Sequence, residues 1–502
     1  MIATLSTELA RLAQENALLR HRIQLLTRRI FGRRSEQGVG PGQGVLPFEP
    51  AAAGAVGPDA SDEDGGPADP PAPARAARRH RGRRPLERDI PRERIEVLPP
   101  PAALACPQCQ RPQVRIGEDL TEELDYVPAS FVIREYARPK FACPTCHEGV
   151  TQAALPARPI EKGRPGPGLL AHVVTAKYAD HLPLYRLEGI FARHAITVTR
   201  RTLAEWNGAV ADLLAPIVVA MHLHQVLAAP WIQCDDTTVA VQVPDRTPAT
   251  RQGHLWVYRG AEADVVYDFT WARNRDGPLR MLAGYRGYLQ VDAAPAYDEL
   301  FATRPEIVEV GCWAHARRRF KDAVPTAAVP CAQVLVRIGE LYGLERAATE
   351  RRLSAEARGQ MRQERAQPLL RRLRALLEQL WSTALPKSPL GDAVGYALRH
   401  WQALTRYTED GRLKIDNNGA ENALRPIVLG RKNWLNAGSE AAAHRAAILC
   451  SLVQTCRNHG LNPFAYLRDV IDRVSTHPAR RVLELTPRDW KRLRDEPAQS
   501  AA

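Results

Sequence analysis

Trp231-Ile-Gln-Cys-Asp-Asp-Thr-Thr-Val-Ala-Val-Gln-Val243 is the stretch on which the fold turns. It is built from strand formers and carries two adjacent acids, Asp235 and Asp236. Two more strand patterns follow at once, His254 to Arg259 and Asp264 to Trp271. A helical pattern around Leu279 to Tyr285 then leads into Gly287-Tyr-Leu-Gln-Val-Asp292, a strand that ends in an acid. Beyond it the spacing predicts a helix from Pro295, a strand over Ile307 to Cys312 and a helix through His315 to Phe320.

Three consecutive strands, helix, strand, helix, strand is the element order of a ribonuclease H-like mixed sheet. In such a sheet the first and fourth strands are neighbours, so Asp235 and Asp292 come together. Clustered carboxylates of this kind suit phosphoryl transfer with two metal ions held roughly 3.5–4 Å apart. Hard oxygen donors favour two Mg2+, with Mn2+ able to substitute. The chain holds 56 acids, so only the strand context gives these two their weight.

A third acid is expected from a helix beside the sheet. Residues 322 to 405 carry no strand pattern; they read as long charged helices, Leu369 to Leu380 among them. After them comes Ile415-Asp-Asn-Asn-Gly-Ala-Glu-Asn-Ala-Leu-Arg-Pro426. With Asp416 as a cap, Asn417, Glu421 and Arg425 share one helix face, and Pro426 is expected to end the helix. Glu421 can then hold metal while Arg425 reaches a phosphate; a surface helix with a charge pair is the plain alternative.

The N-terminal half is modular. Leu5, Leu12, Leu19 and Leu26 recur every seven residues, and Ile2, Leu9, Asn16, Ile23 and Ile30 fill the alternate core position. This predicts a dimerising coiled coil over residues 1–36, with Asn16 fixing register. Residues 37–74 read as an acidic linker, since their Gly, Pro and Ala content cannot bury a core. Residues 75–100 are basic, with Arg78, Arg79, Arg81, Arg83 and Arg84 placed to grip DNA phosphates or to lie in solvent. Cys106-Pro-Gln-Cys109 and Cys143-Pro-Thr-Cys146 supply four thiolates for one structural Zn2+ in a ribbon over 101–160. In residues 161–228 a helix from Leu182 to Ala192 and a second one capped by Thr199, opening with Arg200 and Arg201 and running through Trp206 to Leu214, fit a helix-turn-helix. Any helical hairpin fits that pattern as well.

The net charge of +13 suits an anionic partner such as double-stranded DNA. The N-terminus has no signal-peptide pattern, and the most apolar stretch, Leu213 to Ile232, is interrupted by Pro216, His222, His224 and Gln225. A cytoplasmic, nucleoid-associated protein without a membrane span is expected. Nine cysteines in a large chain of this sort read as reduced thiols plus a metal site.

The chain resembles the DDE transposases of the insertion sequence 66 family in the content and order of its motifs. The resemblance rests on the zipper ending in Phe31-Gly-Arg-Arg-Ser-Glu36, the paired Cys-x-x-Cys knuckles and Lys177-Tyr-Ala-Asp-His-Leu-Pro-Leu-Tyr185. Gly311-Cys-Trp-Ala-His-Ala-Arg317, Ile415-Asp-Asn-Asn and Leu429-Gly-Arg-Lys-Asn-Trp434 complete it. It implies Asp235, Asp292 and Glu421 as catalytic triad and 322–415 as an all-helical insertion dividing a catalytic domain of 229–321 and 416–440. Where the family reads Asp-Glu-Thr-Pro, this chain has Asp235-Asp236-Thr237-Thr238, so Asp236 is an alternative metal ligand and Asp416 another. Trp313 and Arg317 either meet the DNA end, Trp stacking on a base, or pack and solvate in the ordinary way. Arg431, Lys432 and Trp434 invite the same two readings. C-terminal helices over 441–480 and a tail over 481–502 close the chain.

The expectation is a homodimeric or larger transposase that binds the terminal inverted repeats of its own element, hydrolyses the phosphodiester and transfers the freed strand, with accessory proteins of the same element as further partners. A DNA-binding protein without the chemistry and a nuclease without strand transfer are the other readings.

Overall fold

The structure is a computed structural model that describes residues 131, 133, 140–142, 150–152, 157–161, 163–243 and 248–495. The expected coiled coil with Leu5, Leu12, Asn16, Leu19 and Leu26, the arginines of residues 75–100 and the four knuckle cysteines lie outside the described residues. Within the segment read as a zinc ribbon, Lys140–Ala142 and Val150–Gln152 pair as a short antiparallel ribbon.

Among the described residues, three α-helices precede the main sheet. Helix α1 (Pro167–Tyr178) starts on a proline, whose missing N–H is harmless in a first turn. Helix α2 (Leu184–Ala192) and helix α3 (Arg200–Met221) follow, and Thr199 caps α3 by accepting from the Thr202 N–H. Leu187, Phe191 and Leu203 form a small core with Val173 of α1, which fixes the angle between the helices. Helix α3 runs beyond the expected Leu214, through Pro216, because its far half is buried on the sheet by Leu214, Ile217 and Met221. Among the described residues, only Arg200–Val226 is long and apolar enough to cross a membrane. Half of it is buried inside the fold.

The sheet has five strands: β1 (Trp231–Gln242), β2 (Thr250–Gly260), β3 (Val265–Thr270), β4 (Gly287–Gln290) and β5 (Ile307–Val310). Their order is β3-β2-β1-β4-β5. The β1–β2 and β2–β3 pairs are antiparallel, while β1–β4 and β4–β5 are parallel. Short helices α4 (Asp276–Met281) and α5 (Asp298–Thr303) make the crossovers that parallel neighbours require. The order of strands and helices matches the expectation from hydrophobic period.

Helix α6 (Trp313–Ala323) leaves β5 and opens a helical region: α7 (Ala328–Glu350), α8 (Ala355–Met361), α9 (Gln367–Thr383), α10 (Pro389–Arg399) and α11 (Trp401–Thr405). It has its own core, in which Phe320, Ile338, Leu373, Val394 and Leu404 are buried. In α9, Leu370, Leu373, Leu377 and Leu380 form the buried stripe that helical spacing demands.

The chain then returns to the sheet as α12 (Asn418–Trp434), which packs on β1 and β2, and α13 (Glu440–Asn458), which covers β3. Cys450 and Cys456 are buried packing residues there. Helices α14 (Pro463–Arg473) and α15 (Pro487–Asp495) finish the fold. The segment read as a tail is thus corrected over most of its length. Trp490 lies edge-on to Tyr466 at 5.6 Å, and Thr486 accepts from the buried Gln225 carboxamide at 2.9 Å, so packing holds what local polarity does not announce.

Candidate active site

Strands β1 and β4 run parallel with Gln233 opposite Gln290. Two residues further on stand Asp235, still within β1 and on the same face as Gln233, and Asp292, just past the end of β4 and near enough for its charge to act on Asp235. The pattern Gln-x-Asp occurs at both strands, Gln233-Cys-Asp235 and Gln290-Val-Asp292, a signal that reading for acids alone passes over. Gln233 Nε2 donates to Gln290 Oε1 at 2.8 Å and to the Asp416 carbonyl at 3.0 Å. Gln290 Nε2 in turn reaches the Lys414 carbonyl at 2.7 Å. This buried amide layer joins β1, β4 and the loop that carries the third acid.

That loop is pinned a second time. The fully buried Asn417 donates through Nδ2 to the Cys234 carbonyl, the residue before Asp235, at 2.8 Å, and through its backbone N–H to Cys312 Sγ at 3.2 Å. Asp416 accepts from Asn418 N at 3.2 Å and from the Tyr342 hydroxyl at 2.9 Å. It is an anchor for the start of α12, and burial raises its carboxyl above the ordinary range. Glu421 sits in the first turn of α12, where the helix dipole favours a carboxylate. Its Oε1 is buried with no hydrogen-bond partner.

Pro426 does not end this helix, contrary to expectation. The missing N–H costs roughly 3 kcal/mol in a helix interior. The apolar stripe Ala420, Ala423, Leu424, Ile427 and Gly430 continues across the proline onto the sheet, and burial of that face outweighs the loss.

At the carboxylates, Asp292 Oδ1 accepts from Ala294 N at 3.1 Å, and Ala293, with φ at 59°, turns the chain sharply to allow it. Asp235 Oδ1 accepts from the Asp236 N–H at 2.8 Å. Burial, together with the negative charges of Asp292, Asp236 and Glu421, raises the Asp235 carboxyl from 3.8 to about 7. Asp236 is taken up by His254 Nδ1 at 2.7 Å and Arg273 Nε at 2.6 Å. Arg273 also reaches Asp292 Oδ2 at 3.2 Å, spanning the two acids as a cation would. Neither His254 nor Arg273 carried a sequence signal. Hard oxygen donors, mutual carboxylate repulsion and an orphaned Glu421 oxygen fit divalent cations such as Mg2+ or Mn2+.

The raised Asp235 value has a consequence for stability. Between about pH 4 and 7 the folded protein keeps a proton that the unfolded chain releases, so metal-free protein loses stability as pH rises through that window. The size is on the order of a few kcal/mol. In chelator at pH 8, Asp235→Asn is expected to unfold at a higher temperature than the wild type, and at pH 4 at nearly the same one. A wild-type profile parallel to that of the variant contradicts the raised carboxyl.

Gly419 is equally exacting. A Cβ there would land on the Gln233 carboxamide oxygen and within 3.0 Å of Arg259 Nη1. Gln233 is held by Gln290 and Asp416 and cannot swing aside. Gly419→Ala is expected to cost about 1–3 kcal/mol in urea unfolding. A loss below about 0.5 kcal/mol would show that the amide layer yields freely.

The residues expected to meet DNA divide. Trp313 is corrected to a core residue: it is fully buried, and its Nε1 donates to the Leu404 carbonyl at 2.7 Å, so no base can stack on it. Arg431 is committed to Thr237 Oγ1 at 3.1 Å and to Thr238, and the half-buried Trp434 packs on the main core. Arg317, Arg425 and Lys432 are exposed, as are Arg200 and Arg201 at the start of α3.

The chain is similar to known proteins over most of its length. A family described as "Transposase IS66 family" matches residues 162–445, and the "zinc-finger binding domain of transposase IS66" matches 104–147. The "IS66 C-terminal element" matches 451–488, and "Transposase C of IS166 homeodomain" matches 18–95. Among similar proteins, y4jD of Sinorhizobium fredii (strain NBRC 101917 / NGR234) is 34% identical over 94% of this chain and 94% of its own length. From the same organism, y4qI is 35% identical over 80% of this chain and 76% of its own, and y4hP is 32% identical over 82% and 77%. A matched zinc-finger region supports a bound zinc, and the sheet, its acids and the helix Pro463–Arg473 fall within the matched spans. The chain belongs to the IS66 family of transposases.

Proposed function

We propose that the five-stranded sheet is a ribonuclease H-like catalytic fold and that Asp235, Asp292 and Glu421 are its catalytic carboxylates. The observation that carries this is the parallel register of β1 and β4, which sets Gln233 opposite Gln290 two residues before each acid, with the helix of Glu421 tied through Asn417 to the peptide before Asp235. Strand order β3-β2-β1-β4-β5 supports it. Bound divalent cations would supply activation of the attacking oxygen and stabilisation of the leaving one. The protein's own part is to hold those carboxylates together, to keep Asp236 occupied by His254, and to shield the site from below with the amide layer.

In the reaction, a water oxygen attacks the phosphorus at the element end, the P–O3′ bond breaks and a 3′-hydroxyl is released. That hydroxyl then attacks a phosphodiester of target DNA, forming a new P–O3′ bond as the target's own P–O3′ bond breaks and its 3′-oxygen leaves as a hydroxyl. No side chain acts as a covalent nucleophile. The exposed Arg317, Arg425 and Lys432 would track the backbone near the site. The α2–α3 pair, opening with Arg200 and Arg201, would add a second DNA contact as a helix-turn-helix. Recognition of terminal inverted repeats would be completed by the arginines at 78–84 and by zinc held by Cys106, Cys109, Cys143 and Cys146. Pairing of two chains would fall to the zipper of Leu5, Leu12, Asn16, Leu19 and Leu26. Such a protein works in the cytoplasm, on the nucleoid.

The test uses purified full-length protein, labelled DNA carrying the ends of its own element, a target plasmid and Mg2+. The expected products are a nicked or cut end with a free 3′-hydroxyl and plasmid joined to it. Cutting without joining would reduce the protein to a nuclease, and tight binding without cutting to a DNA-binding protein.

A further inference from the structure

Next to the carboxylates lies a second group of ligand atoms. Among the described residues, Cys312 Sγ, a ring nitrogen of His315 and a carboxylate oxygen of Glu421 lie within 4.8 Å of one another. His315 Nδ1 stands 3.7 Å from Glu421 Oε1. Both atoms are buried, and neither has a hydrogen-bond partner. The gap is too long for a hydrogen bond between them. Two buried polar atoms that face each other unsatisfied are rare, because each forgoes its water at a cost of about 1–3 kcal/mol.

The folding around them is deliberate in its rigidity. Helix α6 begins at Trp313, which is locked by its indole bond to Leu404 and by its backbone N–H to the Ile415 carbonyl at 3.1 Å. Cys312 Sγ accepts the backbone N–H groups of both Asn417 and His315, so one sulfur joins the first turns of α6 and α12. The sulfur serves as a post between the helices. What the post achieves is to bring residue 315 opposite residue 421.

We propose that His315 is a metal ligand of the catalytic centre, its Nδ1 joining Glu421 Oε1 on one of the two divalent cations. This rests on the carboxylate reading above. Neighbouring ligand atoms on a single ion with bonds near 2.1 Å stand roughly 3 Å apart, so a closure of less than about 1 Å brings the pair onto one ion. An imidazole nitrogen in the set moves that site away from the all-oxygen preference of Mg2+ and towards Mn2+.

The experiment is pulsed electron paramagnetic resonance of Mn2+ added to the full-length protein, prepared unlabelled and with 15N-histidine. A directly coupled histidine nitrogen is expected in the wild type, its modulation changed by the label. His315→Gln is expected to lose that coupling while keeping Mn2+ bound, with a dissociation constant raised roughly tenfold. The label makes the wild-type result independent of how any variant folds. Mn2+ bound in an Asp235-dependent way without nitrogen coupling, or with coupling that survives in His315→Gln, overturns the role of His315 and leaves the carboxylates standing. A wild type that binds no Mn2+, or binds it equally with Asp235→Asn, overturns the carboxylate reading and this inference together.

Discussion

Asp292→Asn protein is expected to leave element-end DNA uncut, at least about a thousandfold below the wild type. A metal-bound phosphoryl group draws several kcal/mol of transition-state stabilisation from its cations, and each 1.36 kcal/mol is a factor of ten. The substitution is nearly isosteric. Asparagine keeps an oxygen for the Ala294 N–H, so the sharp turn at Ala293 survives. What it removes is one negative charge, near enough to Asp235 to raise its carboxyl. DNA binding, read by gel shift, should therefore change by less than about threefold, because the phosphate contacts lie on other residues. Asp236→Asn is the informative companion. Asp236 is already occupied by His254 and Arg273, so its loss is expected to reduce cutting far less than the loss of Asp292. Equal cutting by wild type and Asp292→Asn would remove the proposed active site.

The second large effect is on stability. Arg362 is completely buried between α8 and α9, and all five of its N–H donors are used. It makes a paired contact with Glu345, at 2.7 Å and 2.8 Å, and donates to the carbonyls of Tyr407 at 2.6 Å, Asp410 at 2.8 Å and Leu413 at 3.0 Å. Glu345→Ala strands that guanidinium without its counter-charge, and breaking a buried pair from one side costs about 3–5 kcal/mol. A matching fall in urea stability is expected, together with a loss of DNA cutting, since Leu413 leads directly into the Asp416–Glu421 segment. Glu345→Gln, which keeps one acceptor, should fall between. A Glu345→Ala protein within about 1 kcal/mol of the wild type would show that the pair is no strut.

Much of the sheet could be read from the chain because strand and helix periods differ and because one acid lies within β1 and another just past the end of β4. Asp235 and Asp292 were legible for that reason. Glu421 was legible only as a helical acid, and its orientation depends on Asn417 and Cys312, whose roles appear only once distant segments meet. Arg362 and Glu345 are 17 residues apart on charged helices, and nothing local marks them from the surrounding solvated charges. Trp313 sits in a basic stretch that suggested a DNA surface, yet its flat apolar ring is better satisfied in the helical core. Pro426 and the C-terminal helix at Trp490 were misjudged because propensity is local and weak, while burial against the sheet is large and is decided elsewhere. Arg273 lies in the loop after β3, where chain direction follows from the turn and not from any period.

The helical region between α6 and α12 has one more consequence, in time rather than space. During synthesis the strands with Asp235 and Asp292 leave the ribosome long before Glu421, and the Gln290–Lys414 bond that seats its loop cannot form until the intervening helices have been made. Domains emerge and fold from the N-terminal side at about 5–20 residues per second. A nascent chain therefore carries Asp235 and Asp292 for several seconds before Glu421 is made. On the carboxylate assignment proposed above, an incomplete copy lacks Glu421 and with it the full set that cutting requires.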